Sequence, residues 1–157
     1  MVRKKNLNIK NERFFLAAKA IKESIMRNSP IEEGGSNCPI LVEGINDVKC
    51  LRILGFSGII ETVNKGWDRP RMIAYLYEEY GSELAIDGLP KIILLMDWDR
   101  TGEILQKSFT NQLNSMDVKI DQSLRNILAK QLKSECKTVE SIIGFSDSLL
   151  ELSLIHI

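Results

Sequence analysis

Apolar residues recur at three- and four-residue spacing from Asn11 to Asn28, where Phe14, Phe15, Ala18, Ile21, Ile25 and Met26 form one stripe. That period predicts an amphipathic helix packing on something downstream, ended by Asn28-Ser29-Pro30. From Glu32 to Asn37 both periods break, and Gly34-Gly35-Ser36 predicts a flexible connection. Beyond it the pattern alternates. Pro39 to Val42 is a short apolar run, Asp47 to Leu54 carries Val48, Leu51 and Leu54 at helical spacing, and Gly58 to Val63 reads as a second strand.

Asp68 and Pro70 then open a helix, because an aspartate caps free N–H groups and a proline suits the first turn. Its stripe is Ile73, Leu76, Tyr77 and Tyr80, and Gly81 closes it. Ile92-Ile93-Leu94-Leu95-Met96 is apolar without alternation, the mark of a central strand covered on both faces. Ile104, Leu105, Phe109 and Leu113 mark a further helix, Val118 and Ile120 a short strand, and Leu124, Ile127, Leu128 and Leu132 a last helix behind Asp121. Strands alternating with helices predict right-handed crossovers and an α/β, doubly wound, mostly parallel sheet of about four strands, with helices on both faces and an added N-terminal helix.

Composition changes this picture little. With 157 residues, 44% hydrophobic and 27% charged, the chain has the size and make-up of one globular domain. No apolar stretch approaches the roughly 20 residues that span a bilayer, and the first ten residues lack a secretion signal's apolar core, so a cytoplasmic protein without a membrane partner is expected. Cys38, Cys50 and Cys136 are odd in number and form no CxxC pair, which argues against a disulfide framework or a thiolate zinc site. Net charge is zero, yet Arg3, Lys4, Lys5, Lys10 and Arg13 face only Glu12 near the start, a basic arm suited to phosphates or simply to solvation.

In doubly wound sheets ligands sit beyond the carboxyl ends of the strands. The first apolar run ends in Glu43-Gly44 and the central one in Asp97-Trp98-Asp99, so three carboxylates from two strands are expected at one edge. Oxygen ligands with open positions suit Mg²⁺, which keeps sites free for phosphate oxygens. Gly44 removes a side chain where a phosphate or metal must come close, and the helix starting near Asn46 and Asp47 offers its positive end. Lys49, Lys65 and Arg100 stand near strand ends as candidate phosphate contacts. Each has a plainer reading: Asp47 as a helix cap, Gly44 and Asp99 as turn residues, the bases as solvated charges.

Together, Ile40-Leu41-Val42-Glu43-Gly44-Ile45-Asn46-Asp47 and Leu94-Leu95-Met96-Asp97-Trp98-Asp99-Arg100-Thr101-Gly102 resemble the two motifs of the Toprim family. That family includes the metal-binding domains of type IA and type II topoisomerases, bacterial-type primases, the ribonuclease M5 group and OLD-type nucleases. The stand-alone form most resembles the small Toprim proteins of archaea. The resemblance implies a Rossmann-like Toprim fold over residues 38–151, preceded by residues 1–37 as arm, helix and linker. It also implies one or two Mg²⁺ ions, with Mn²⁺ as a substitute, held by Asp97 and Asp99. Glu43 matches the glutamate that serves as general acid or base and in some members as a ligand, and Gly102 matches the glycine after the aspartates, a candidate phosphate contact alongside Gly44 and Asp47. Trp98 departs from the small or apolar residue that is common between them.

The implied partner is RNA or DNA, with a protein partner or a second copy beside it, and the implied activity is Mg²⁺-dependent work on phosphodiesters. Two other readings stay open. Asp97-Trp98-Asp99-Arg100-Thr101 also matches the nucleophile motif of haloacid-dehalogenase-like phosphatases, and a non-catalytic nucleic-acid-binding or assembly subunit fits the neutral charge. Residues 152–157, which include the only histidine, His156, read like a translated sequencing adapter and are expected to be a scar.

Overall fold

A computed structural model describes residues 2–149, with side chains from Asn8 onward; the suspected scar lies outside the described residues. Helix α1 spans Val2–Asn28, followed by a 3₁₀ turn at Ile31–Glu33, strand β1 (Ile40–Val42), α2 (Ile45–Leu54), β2 (Ile60–Thr62) and α3 (Arg69–Tyr80). Next come β3 (Ile92–Leu94), α4 (Arg100–Ser115), β4 (Ile120–Asp121), α5 (Ser123–Leu132) and a second 3₁₀ segment at Glu140–Phe145. The four strands are all parallel, in the order β2-β1-β3-β4. The α/β, doubly wound expectation therefore holds.

Alternating side chains of the central strands build two cores. Ile40, Val42, Ile93 and Leu95 point to a face covered by α1, α2 and α5, while Leu41, Ile92, Leu94 and Met96 point to a face covered by α3 and α4. Both faces of β3 are buried, which is why its sequence shows no alternation.

Two local expectations need correction. The N-terminal helix begins at Val2, not Asn11, so the basic arm is helical backbone. Its buried apolar stripe begins at Phe14, and residues 8–10 are exposed, so no period marks that part of the helix. Arg13 is spent within the fold. Its guanidinium forks onto Glu135 at 2.8 and 2.9 Å and donates to the Gln131 carbonyl at 2.7 Å, locking α1 to α5.

The second correction concerns Glu32 to Asn37, which is a folded turn. Gly34 adopts φ +87°, Ser36 and Cys38 donate to the Arg27 carbonyl, and Asn37 donates to that of Ser29. A Cβ on Gly35 would lie 2.0 Å from the Ser29 carbonyl oxygen, so that glycine serves close approach. The turn and α1 belong to the same body as the sheet. Buried Asn28 stitches them together, donating to the Cys38 and Ile59 carbonyls and accepting from the Gly58 N–H.

The connections set where a ligand can go. From β1 the chain moves through α2 to β2 on one side; from β3 it moves through α4 to β4 on the other. The order thus reverses between adjacent β1 and β3, whose carboxyl ends diverge into a crevice. Among the described residues no helix is long and apolar enough to cross a membrane.

Candidate functional site

The β1–β3 ladder pairs Leu41 with Leu94, so the two residues leaving these strands toward the crevice are Glu43 and Asp97. The backbone N–H of Asp97 donates to Glu43 Oε1 at 3.2 Å, and the two carboxyl groups also hydrogen-bond each other. Burial is the main reason that both bind protons more tightly than isolated carboxyls; the charge of Asp97 adds to it for Glu43, and the charge of Asp99 adds to it for both. The Glu43 carboxyl is pushed up to about 7. Asp97 moves in the same direction, restrained by the N–H of Val139, which donates to its Oδ1 at 2.7 Å. The pair titrates as one unit and holds a proton more tightly than isolated carboxyls do.

Asp97 is held from several sides. Arg125 on α5 is buried and donates to the Met96 and Asp97 carbonyls at 3.0 and 2.9 Å, with Glu103 at 2.8 Å as its only carboxylate partner among the described residues. Trp98 donates from its indole to the Cys136 carbonyl at 2.7 Å, and its backbone N–H binds the Lys137 carbonyl at 2.8 Å. Thus the large residue between the aspartates points away from the crevice and clamps the segment after α5.

Asp99 plays a different part from its neighbour. It is the N-cap of α4, accepting the Gly102 N–H at 2.7 Å. Gly102 is buried, and a Cβ there would meet the Asp97 carbonyl oxygen at 1.9 Å, so this glycine lets α4 start tight against β3. It does not reach the crevice as the phosphate contact expected of it. Asp47 accepts the Gly44 N–H at 3.0 Å at the start of α2, the capping role that its plainer reading assigned. Among the described residues no three acidic, histidine or cysteine side chains form a ready-made metal cage. The structure therefore brings Glu43 and Asp97 together and leaves Asp99 as a charge beside them.

A crevice of about 530 Å³ opens in front of the pair. Its walls include Gly44, Asn46, Asp47, Asn64, Trp67, Asp68, Arg69 and Glu140, and Met72, Leu105 and Phe109 give it an apolar side. Five carboxyl side chains face one base, Arg69. Of the expected phosphate contacts, Gly44 and Asp47 line the crevice, but the three bases lie elsewhere: Lys49 is exposed on α2, Arg100 is exposed at the first turn of α4, and Lys65 binds Glu61 at 3.0 Å.

No family model matches the chain. A UPF0292 protein of Methanosarcina acetivorans is 27% identical over 129 residues, covering 82% of this chain and 81% of that one. A second, from Thermoplasma volcanium, is 33% identical over 107 residues, covering 68% of this chain and 81% of its own length. The chain belongs to the UPF0292 family. A UPF0292 protein of Methanosarcina barkeri agrees, at 31% identity over 120 residues and 76% of its length. Among solved structures, a putative protein from Aquifex aeolicus superposes with a TM-score of 0.54 over 78% of this chain and 94% of that one, at 24% identity, a likeness of fold.

In this UPF0292 chain, sequence reasoning missed Asn64, Trp67, Arg69, Arg125 and Glu140. The first three follow the carboxyl end of β2, and the rule that pointed to Glu43 and Asp97 points there too once the three-residue β2 is recognised. Arg125 and Glu140 had no local signal, since only the tertiary fold carries α5 and the segment after it to the crevice.

Proposed function

We propose that this UPF0292 protein is a Toprim-type, Mg²⁺-dependent protein that acts on nucleic-acid phosphodiesters in the cytoplasm, where its free cysteines stay reduced. The observation that carries the reading is the Glu43–Asp97 pair at the switch point between β1 and β3. Two half-buried acids that repel each other, within a crevice of further acids, are a poor resting place for two negative charges and a good one for a cation. Mg²⁺ needs only one or two protein carboxylates and fills its remaining positions with water and phosphate oxygens. The donor set fits, with Glu43 and Asp97 as ligands and Asp99 adding charge. When bound, the ion would neutralise a phosphate and lower the proton affinity of a coordinated water.

The chain's own residues supply the rest. Glu43 holds or releases a proton beside the phosphate. Val139 and Arg125 fix the Asp97 side chain and backbone, so the pair does not swing away from an incoming strand. Arg69 offers the crevice's single positive side chain to a phosphate oxygen. A phosphatase in which Asp97 is a nucleophile leaves the paired Glu43 without a role.

The zero net charge fits a second reading, a non-catalytic nucleic-acid-binding or assembly module. One experiment separates the readings. Purified protein is incubated with end-labelled structured RNA, single-stranded DNA and supercoiled DNA, with and without Mg²⁺, beside Glu43→Gln and Asp97→Asn. Metal-dependent cleavage lost in both variants is the expected result, binding without turnover supports the second reading, and indifference to metal and variants removes the pair from the function.

A further inference from the structure

The segment that runs from β2 into the first turn of α3, Asn64-Lys65-Gly66-Trp67-Asp68-Arg69-Pro70-Arg71, differs in chemistry from the rest of the crevice wall. It is registered directly to the site, because the Asn64 N–H donates to the Glu43 carbonyl at 3.0 Å and the Val63 N–H to that of Val42 at 3.0 Å. Trp67 lines the crevice and is fixed by an edge-on contact with Tyr75, centroids 5.4 Å apart at 75°. The Arg71 guanidinium lies 4.3 Å from the indole centroid and the Lys65 ammonium 5.2 Å. Among the described residues, Arg69 and Arg71 have no carboxylate partner. Asp68, the one acid in the segment, is turned to the cap of α3, accepting the Arg71 N–H at 2.9 Å.

We infer that this segment is a single-strand subsite, in which Trp67 stacks one unpaired nucleobase and Arg69 and Arg71 take the adjoining phosphates. The inference rests on the proposed function and names the substrate class of the same site. An anionic strand meets acids almost everywhere else in the crevice, so its approach is directed to the side where the bases and the indole stand. A flat indole accepts any base, but only one released from a duplex stack. The exposed Arg71 side chain yields its place on the ring, since a solvent-exposed cation–π contact is weaker than a base–aromatic stack. Its guanidinium then turns to phosphate, where a planar fork binds well.

The test is fluorescence anisotropy in Mg²⁺ with three labelled probes: a 12-mer single strand in DNA and RNA forms, its duplex, and the same DNA strand with abasic sugars. Full-length wild type is compared with Trp67→Ala, Trp67→Phe, Arg71→Ala and the double variant Glu43→Gln, Asp97→Asn. Trp67→Ala is expected to weaken single-strand binding about tenfold and Trp67→Phe much less, with the abasic strand bound equally by wild type and Trp67→Ala. Arg71→Ala should lower the salt-dependence slope by about 0.7. A similar loss for DNA and RNA places recognition on the base, and a loss confined to one assigns the sugar as well. Equal single-strand affinity in wild type and Trp67→Ala, while the double variant loses its Mg²⁺-dependent binding, overturns the subsite and leaves the proposed function standing. Loss on Trp67→Ala with the double variant unaffected keeps the subsite and overturns the metal pair. Preference for the duplex, or no binding of any probe, overturns the subsite.

Discussion

Replacing Glu43 by Gln should stabilise the metal-free protein above neutral pH, although it alters a residue at the heart of the site. The folded protein holds the Glu43 carboxyl at about 7 against an ordinary 4.5. At 1.36 kcal/mol per pH unit this difference corresponds to roughly 3 kcal/mol. Solvent screening of a half-exposed group cuts that to about 1–2 kcal/mol. The sign follows from proton binding. Because the folded carboxyl is the more basic, its favourable contribution is complete below pH 4.5, declines as the unfolded chain ionises, and is lost by pH 7. Glutamine carries no such dependence, so the two proteins should be about equally stable near pH 4.5 and diverge by pH 8. For a chain of this size 1 kcal/mol is about 2–4 °C, which predicts Glu43→Gln melting roughly 2–8 °C above wild type at pH 8 in chelator. Mg²⁺ at a hundredfold excess over its Kd should raise wild type by about 2.7 kcal/mol and leave the variant nearly unmoved. Differential scanning fluorimetry across pH 4.5–8, with EDTA or Mg²⁺, reads both effects. A gap between the proteins that does not change with pH, or a variant less stable than wild type at pH 8, refutes the reasoning.

Other substitutions probe how the pair is held. Gly102→Ala places a Cβ 1.9 Å from the Asp97 carbonyl oxygen and should cost about 1–3 kcal/mol as α4 is forced off β3, seen as a lower urea midpoint. Arg125→Met leaves the Met96 and Asp97 carbonyls without their donor and should cost about 2–4 kcal/mol, with a reduced Mg²⁺-induced rise in melting temperature. Asn28→Leu removes three hydrogen bonds, two of them buried, that tie α1 to the segments leading into β1 and β2, and should cost about 2–4 kcal/mol by urea unfolding, with little change in Mg²⁺ response because the site is distant.

The sequence made the architecture readable because the strongest signals were periodic. The unbroken apolar run at 92–96, the cap-and-proline start at Asp68 and Pro70, and the stripe of α5 correspond to structure, and so does the stripe of α4 except at Ile104, which is exposed. The start of α1 is not readable because residues 8–10 are exposed and show no apolar stripe, and the Gly34-Gly35 turn reads as a flexible connection because glycines chosen for close approach look the same as glycines chosen for freedom. At the site, Glu43 and Asp97 were legible as strand ends. That Asp99, Asp47 and Gly102 serve helix starts was legible only as an alternative, because capping residues and phosphate-binding residues have the same composition. Arg125 was invisible, since it approaches β3 from nearly thirty residues away and nothing local marks it.

That Glu43 and Asp97 together hold a divalent cation is the proposal on which the rest depends. Isothermal titration of the apo-protein with Mn²⁺, competed by Mg²⁺, tests it without reference to substrate. Wild type should take up the ion with a heat signal that Mg²⁺ displaces, Asp97→Asn and Glu43→Gln should each lose it, and Asp99→Asn should weaken it less. Identical titrations for wild type and the two pair variants, or no uptake by wild type, contradict the claim.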